Sequence, residues 1–125
     1  MGAGTLWGEP LFRRGVDEFN AGRYFAAHES LERLWLRTTG PRREFLAGLI
    51  LLAGALHQLK VKRYPSAAAR LFARANRRWH ALPAVVDGLD LAAIESQCRR
   101  CLTEEACPPR ISLPGEHEAQ EQLLE

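Results

Sequence analysis

Four side chains in this sequence have the types and spacing for joint chemistry. In the segment HESLERLW, His28 and Glu32 stand at i and i+4. On a helix they lie one turn apart and reach toward one point in space. An acid–base pair or part of a metal site needs that geometry. Glu29 adjoins His28, about 100° round the helix. His57 closes the apolar run FLAGLILLAGALH. His28, Glu32 and His57 together would offer two imidazoles and one carboxylate, a ligand set suited to zinc or iron with open coordination positions. HESLE is not HExxH, because the second histidine is absent. The bland reading stays open beside this one. A histidine and a glutamate one turn apart can simply hydrogen-bond, with His57 capping its helix or holding Glu32.

Two further groups carry chemical potential. Arg70, Arg74 and Arg77 form a stripe at helical spacing, with Arg78 beside it. Such a stripe can track phosphates. The aromatic residues near it, Phe72 and Trp79, fall on the opposite, inner face, so the solvated side of an amphipathic helix is favoured over nucleic-acid binding. Cys98, Cys101 and Cys107 form C-x2-C-x5-C. An odd count with no secretion signal argues against a disulfide framework. A closed zinc site needs four ligands and only His117 is near as a fourth, so structural thiols are expected.

The elements that must position these groups are helices. Phe45 to Leu56 is apolar or glycine without interruption. A helix apolar all round has to be buried all round, and this one is too short for a bilayer, which needs ~20 apolar residues. It is therefore the expected central helix, about residues 42–62. Gly48 and Gly54 cost it roughly 1 kcal/mol each in helix propensity, offset by close approach of neighbouring helices. Pro10 opens a first helix that ends at Asn20 to Gly22. Tyr24 to Leu36 forms a second, with Tyr24, Phe25, His28, Leu31, Glu32 and Trp35 on one face that should point inward. Pro65 opens a fourth helix, and Asp90 caps a last one over Leu91–Leu102. Asp87-Gly88 marks a turn. No strand pattern appears. The class is all-α, a compact bundle of five or six helices. FNAGRYFAAHESL and LKVKRYPSAAARL align faintly at a period of 40, like the helical hairpins of repeat proteins.

Length bounds the rest. With 125 residues, one domain is expected, spanning residues 9–104. Residues 1–8 read as a flexible arm. Residues 105–125 read as a tail, partly disordered or with a short terminal helix. A net charge of +2 from 17 basic and 15 acidic residues says little about partners. Its distribution says more: no acid lies between Phe45 and Val86, and no Lys or Arg follows Glu116. No targeting signal is visible, so the cytoplasm is the default expectation, with no membrane partner and with room for a homo-oligomer.

The residues also carry a resemblance. FNAGRYFAAHESLERLW, followed after a loop by FLAGLILLAGALH, is similar to a family of small prokaryotic helical proteins, one of the numbered families of unknown function. Its pattern is F-N-x-G-x-[YF]-[YF]-x-x-H-E-x-L-E-x-x-W, continued as F-L-x-G-[LVI]-I-x-x-A-x-A-L-H. The resemblance covers roughly Phe12 to Leu102 and leaves out the region after Cys107. It implies a helical bundle with one central helix. Members are sometimes described as predicted metal-dependent hydrolases. The leading expectation is thus a metal-dependent hydrolase of a small substrate. In it His28, Glu32 and His57 hold the ion, Glu29 acts as general base toward metal-bound water, and Tyr24, Trp35 and Asn20 line the pocket. The alternative is a non-catalytic module that binds a protein or peptide in a helical-hairpin groove.

Overall fold

The structure is a computed structural model, described for residues 4–103 and 108–113. After a short 3-10 helix at Leu6–Gly8 come α1 (Pro10–Asn20), α2 (Tyr24–Trp35), α3 (Gly40–Lys60) and α4 (Pro65–Trp79). Two strands, β1 (Val85–Val86) and β2 (Leu89–Asp90), lead into α5 (Leu91–Thr103). Prolines stand in the first turns of α1, α3 and α4, where the missing N–H has no helical partner to lose. The all-α class holds.

The packing follows chain order: α1 lies on α2, α2 on α3 and α3 on α4, with α5 against α3 and α4. Phe45, Leu46, Leu49, Leu52, Ala53 and Leu56 of α3 are fully buried, as a central helix requires. Gly48 explains how α4 comes so close. A Cβ there would overlap the indole of Trp79. That ring instead stacks on Phe45, centroids 5.3 Å apart, and its Nε1–H donates to the Phe45 carbonyl at 3.0 Å. One expectation fails at this helix. Ile50, Leu51, Gly54, His57 and Gln58 are only half-buried, so α3 is not wrapped on every side.

Three other expectations change. The hairpin has strands of two residues each, too short to show alternation in sequence. Asp87 and Gly88 both have positive φ, 50° and 80°, the conformation of a tight two-residue hairpin turn. The carboxylate of Asp87 accepts a forked pair from Arg42 at 2.8 and 3.1 Å. It also accepts the Leu6 N–H at 3.0 Å. The segment Gly4 to Gly8, expected as a loose arm, is therefore docked, with Leu6 buried. At the other end Ile111 and Leu113 are buried, so residues 108–113 pack on the bundle, against the expectation of a tail. Among the described residues, no helix is long and apolar enough to cross a membrane.

Candidate functional site

The half-buried side of α3 is the floor of a recess of about 360 Å³ between α2 and α4. Ile50, Leu51 and Leu71 make it apolar. Gly54 deepens it: a Cβ there would meet only Leu71 Cδ1 at 3.7 Å and His28 Cδ2 at 4.0 Å. His28, His57, Gln58 and Arg74 supply the polar lining. Phe25 forms one wall and is 55% exposed. Its ring is stacked on His28 at 6.1 Å and tilted against His57 at 5.4 Å. Two histidines singled out from sequence are thus gathered around one aromatic ring and one recess. No Asp or Glu is among the described residues that line it.

Glu32 lies beside this recess rather than in its lining. Its side chain is 50% exposed. On α2 the inward face is centred on Ala27, Leu31 and Leu34. His28 lies at the margin of that face and Glu32 beyond it. Glu32 Oε2 stands 3.6 Å from His28 Nδ1, slightly longer than a hydrogen bond. That Nδ1 is buried with no hydrogen-bond partner, so Glu32 is the acceptor best placed to satisfy it. Glu29 is exposed and also lies off the recess.

Among the described residues, no group of three or more His, Cys, Asp or Glu could hold an ion. His28 and His57 share the recess, while Glu32, half-exposed, lies outside its lining with Oε2 3.6 Å from His28 Nδ1. Cys107 and His117 lie outside the described residues. Cys98 and Cys101 are free and buried. Burial pushes the Cys98 thiol up to about 12, with Cys101 adding to the shift. Burial raises Cys101 as well, against an opposing pull from Lys60.

The other expected pocket residues are elsewhere. Tyr24 is buried, edge-on to Phe19 at 5.5 Å. Its hydroxyl pKa is raised, by burial first and then by Cys101 and Cys98. Trp35 carries the Arg43 guanidinium over its ring at 3.8 Å. Asn20 is a clamp: its amide donates to the Ile111 carbonyl at 3.0 Å and accepts the Ile111 N–H at 2.8 Å. Arg70, Arg74 and Arg77 are exposed as expected of a stripe, yet Arg74 also reaches the recess.

Sequence reasoning misses two things. Phe25 belongs to the recess wall, although its spacing assigns it to a buried face. Glu18 is buried, accepting a 2.6 Å hydrogen bond from Ser30 Oγ across α1 and α2, with Arg14 Nε at 3.6 Å. Nothing in its spacing sets Glu18 apart from a surface acid. A larger recess of about 550 Å³ opens beside Thr38 and Arg42. Its cations are already engaged, Arg42 by Asp87 and Arg37 by Glu9 at 3.4 Å, so it offers less to a ligand.

A family model described as "Domain of unknown function (DUF309)" matches residues 12–71. All residues lining the recess except Arg74 fall inside that match. The crystal structure of a conserved hypothetical protein from Thermus thermophilus is 38% identical, with a TM-score of 0.66. The alignment covers 76% of this chain and 98% of that one. No curated protein matches the chain.

Proposed function

The chain belongs to the DUF309 family, whose description assigns no activity, and from that premise we propose a small-molecule binding module with its site in the recess between α2, α3 and α4. One observation carries this reading. An apolar floor is combined with an exposed aromatic wall and several convergent polar groups, His28, His57, Gln58 and Arg74. Ligand sites have that composition, and typical volumes run from ~300 to 1,000 Å³. A helix exposes apolar surface to solvent only against the hydrophobic effect, and α3 does so along one stripe. The hydrolytic alternative is weaker, since no carboxylate among the described residues of the recess could ligate an ion or act as a base on a bound water. What remains in its favour is the Glu32–His28 pair at 3.6 Å.

The test is a protein-detected NMR titration with a library of small fragments, on the wild type and on Gly54→Leu. A Cβ at Gly54 meets only ordinary contacts, leucine is the better helix former, and Gly54 lines the recess, so the longer side chain should occupy it. Fragment shifts should cluster on the backbone amides of Phe25, Gly54, His57 and Gln58, and should vanish in Gly54→Leu. Shifts scattered over the surface, or unchanged in the variant, would refute the assignment.

A further inference from the structure

Resting on that pocket reading, the geometry points to a nucleoside phosphate as the ligand, with its base against Phe25 and its phosphate on Arg74 and Arg77. The first observation is the Phe25 ring. Phe25 is 55% exposed at the mouth of a recess, with His28 parallel to its ring at 6.1 Å and His57 tilted against it at 5.4 Å. The exposed part of an aromatic ring beside an apolar floor is a surface on which a flat heterocycle stacks, with little regard to which base it is. Gln58, which both donates and accepts, and His57 supply polar groups within the same recess for the edge of such a ring.

The second observation is continuity. Arg74 lines this recess and also a neighbouring cleft of about 420 Å³ that holds Arg77 and Arg78. Ring pocket and cationic cleft therefore meet at one side chain. Within the cleft, Arg78 is engaged by Glu44 at 3.2 Å. Arg74 and Arg77 have no carboxylate partner among the described residues. They stand three apart on α4, so two guanidinium forks face the same cleft, and forks of this kind match phosphate oxygens. Glu44 is the one acid among the described residues that line the cleft, and Arg78 meets its charge, which leaves Arg74 and Arg77 for an anion.

The same observations choose among anionic ligands. A single strand of nucleic acid needs a row of stacking faces along a basic groove. Phe25 is the one Phe, Tyr or Trp among the described residues of this recess, which suits one base. A plain anion site would need neither the exposed ring nor the apolar floor of Ile50, Leu51 and Leu71.

The experiment is titration calorimetry of the full chain with the four ribonucleoside triphosphates, adenosine, tripolyphosphate and a ladder of short oligonucleotides. At least one triphosphate should bind in the micromolar to millimolar range, more weakly as salt rises. Arg74→Ala should weaken that binding about tenfold or more, the loss expected of a charge-assisted hydrogen bond, and leave adenosine unaffected. Phe25→Ala should weaken both. Both side chains are exposed, so both variants should fold, with Arg74→Gln and Phe25→Leu as further checks. Tripolyphosphate binding as tightly as the triphosphates would overturn the inference, as would affinity climbing with oligonucleotide length or indifference to Phe25→Ala. If no triphosphate binds while fragments still shift the recess amides, this inference falls and the pocket reading stands. If neither binds, both fall.

Discussion

Two glycines on α3 set up a matched pair of substitutions with opposite expected signs. Gly48→Ala puts a methyl group into the space of the Trp79 indole. Trp79 is 6% exposed and packed against Phe45, so the helices must part or the ring must turn. Overpacking a core costs ~1–3 kcal/mol. Turning the ring also breaks the bond from Nε1 to the Phe45 carbonyl, and an unpaired buried N–H costs a further ~1–3 kcal/mol. Alanine recovers ~1 kcal/mol over glycine in a helix. The net loss should be roughly 3 kcal/mol. Gly54→Ala has the same propensity gain, but its Cβ meets neighbours at 3.7 and 4.0 Å, ordinary contact distances. It should stabilise by about 0.5–1 kcal/mol. The difference, about 4 kcal/mol, is free of helix propensity because the exchange is the same in the same helix. Urea unfolding followed by circular dichroism measures it, and the melting temperatures should separate by more than ~10 °C. Values within ~1 kcal/mol of each other would show that α4 does not pack on Gly48 as described.

Three further outcomes are expected. Cys98 has a folded pKa of about 12 against an ordinary value of 9.0. The folded state therefore holds a proton that the unfolded state loses, and stability present below about pH 9 should fall as pH rises toward 12. Cys98→Ala should flatten that slope in unfolding measured at stepped pH, and an unchanged slope would refute the assignment. Asn20→Ala should cost ~1–3 kcal/mol by orphaning the Ile111 backbone groups. It should also speed hydrogen exchange at the Ile111 amide, and unchanged protection there would mean that Asn20 is not the clamp. Protein purified without a histidine tag should carry well under one equivalent of zinc or iron by elemental analysis. A stoichiometric metal that disappears in Glu32→Gln would restore the three-ligand site.

The fold is legible because its strongest signals are the least ambiguous kind. A long apolar run between charged flanks leaves few options, and prolines at 10, 41 and 65 mark three helix starts to within a residue. The docked ends are harder to read. Leu6 and Ile111 sit in short segments near glycines and prolines, with no period to betray burial. Their partners, Asp87 and Asn20, lie 81 and 91 residues away. Contacts of that range leave no local pattern.

The site shows a subtler failure and a more useful success. Spacings of three and four put Tyr24, Phe25, His28, Leu31, Glu32 and Trp35 on one face, but that set spans too wide an arc to face one way. The helix turns toward its smallest and most apolar residues, Ala27, Leu31 and Leu34. That rotation carries Glu32 and Phe25 to the solvent side. It leaves an aromatic ring at the mouth of a recess, with Glu32 outside the lining. The central helix errs the other way. Its apolar surface exceeds what its neighbours cover, and the excess is the stripe of Ile50, Leu51, Gly54 and His57 that floors the recess. Uniform hydrophobicity on a helix therefore has two readings. One is complete burial. The other is burial on three sides with the fourth half-covered, as at Ile50, Leu51 and Gly54 of α3.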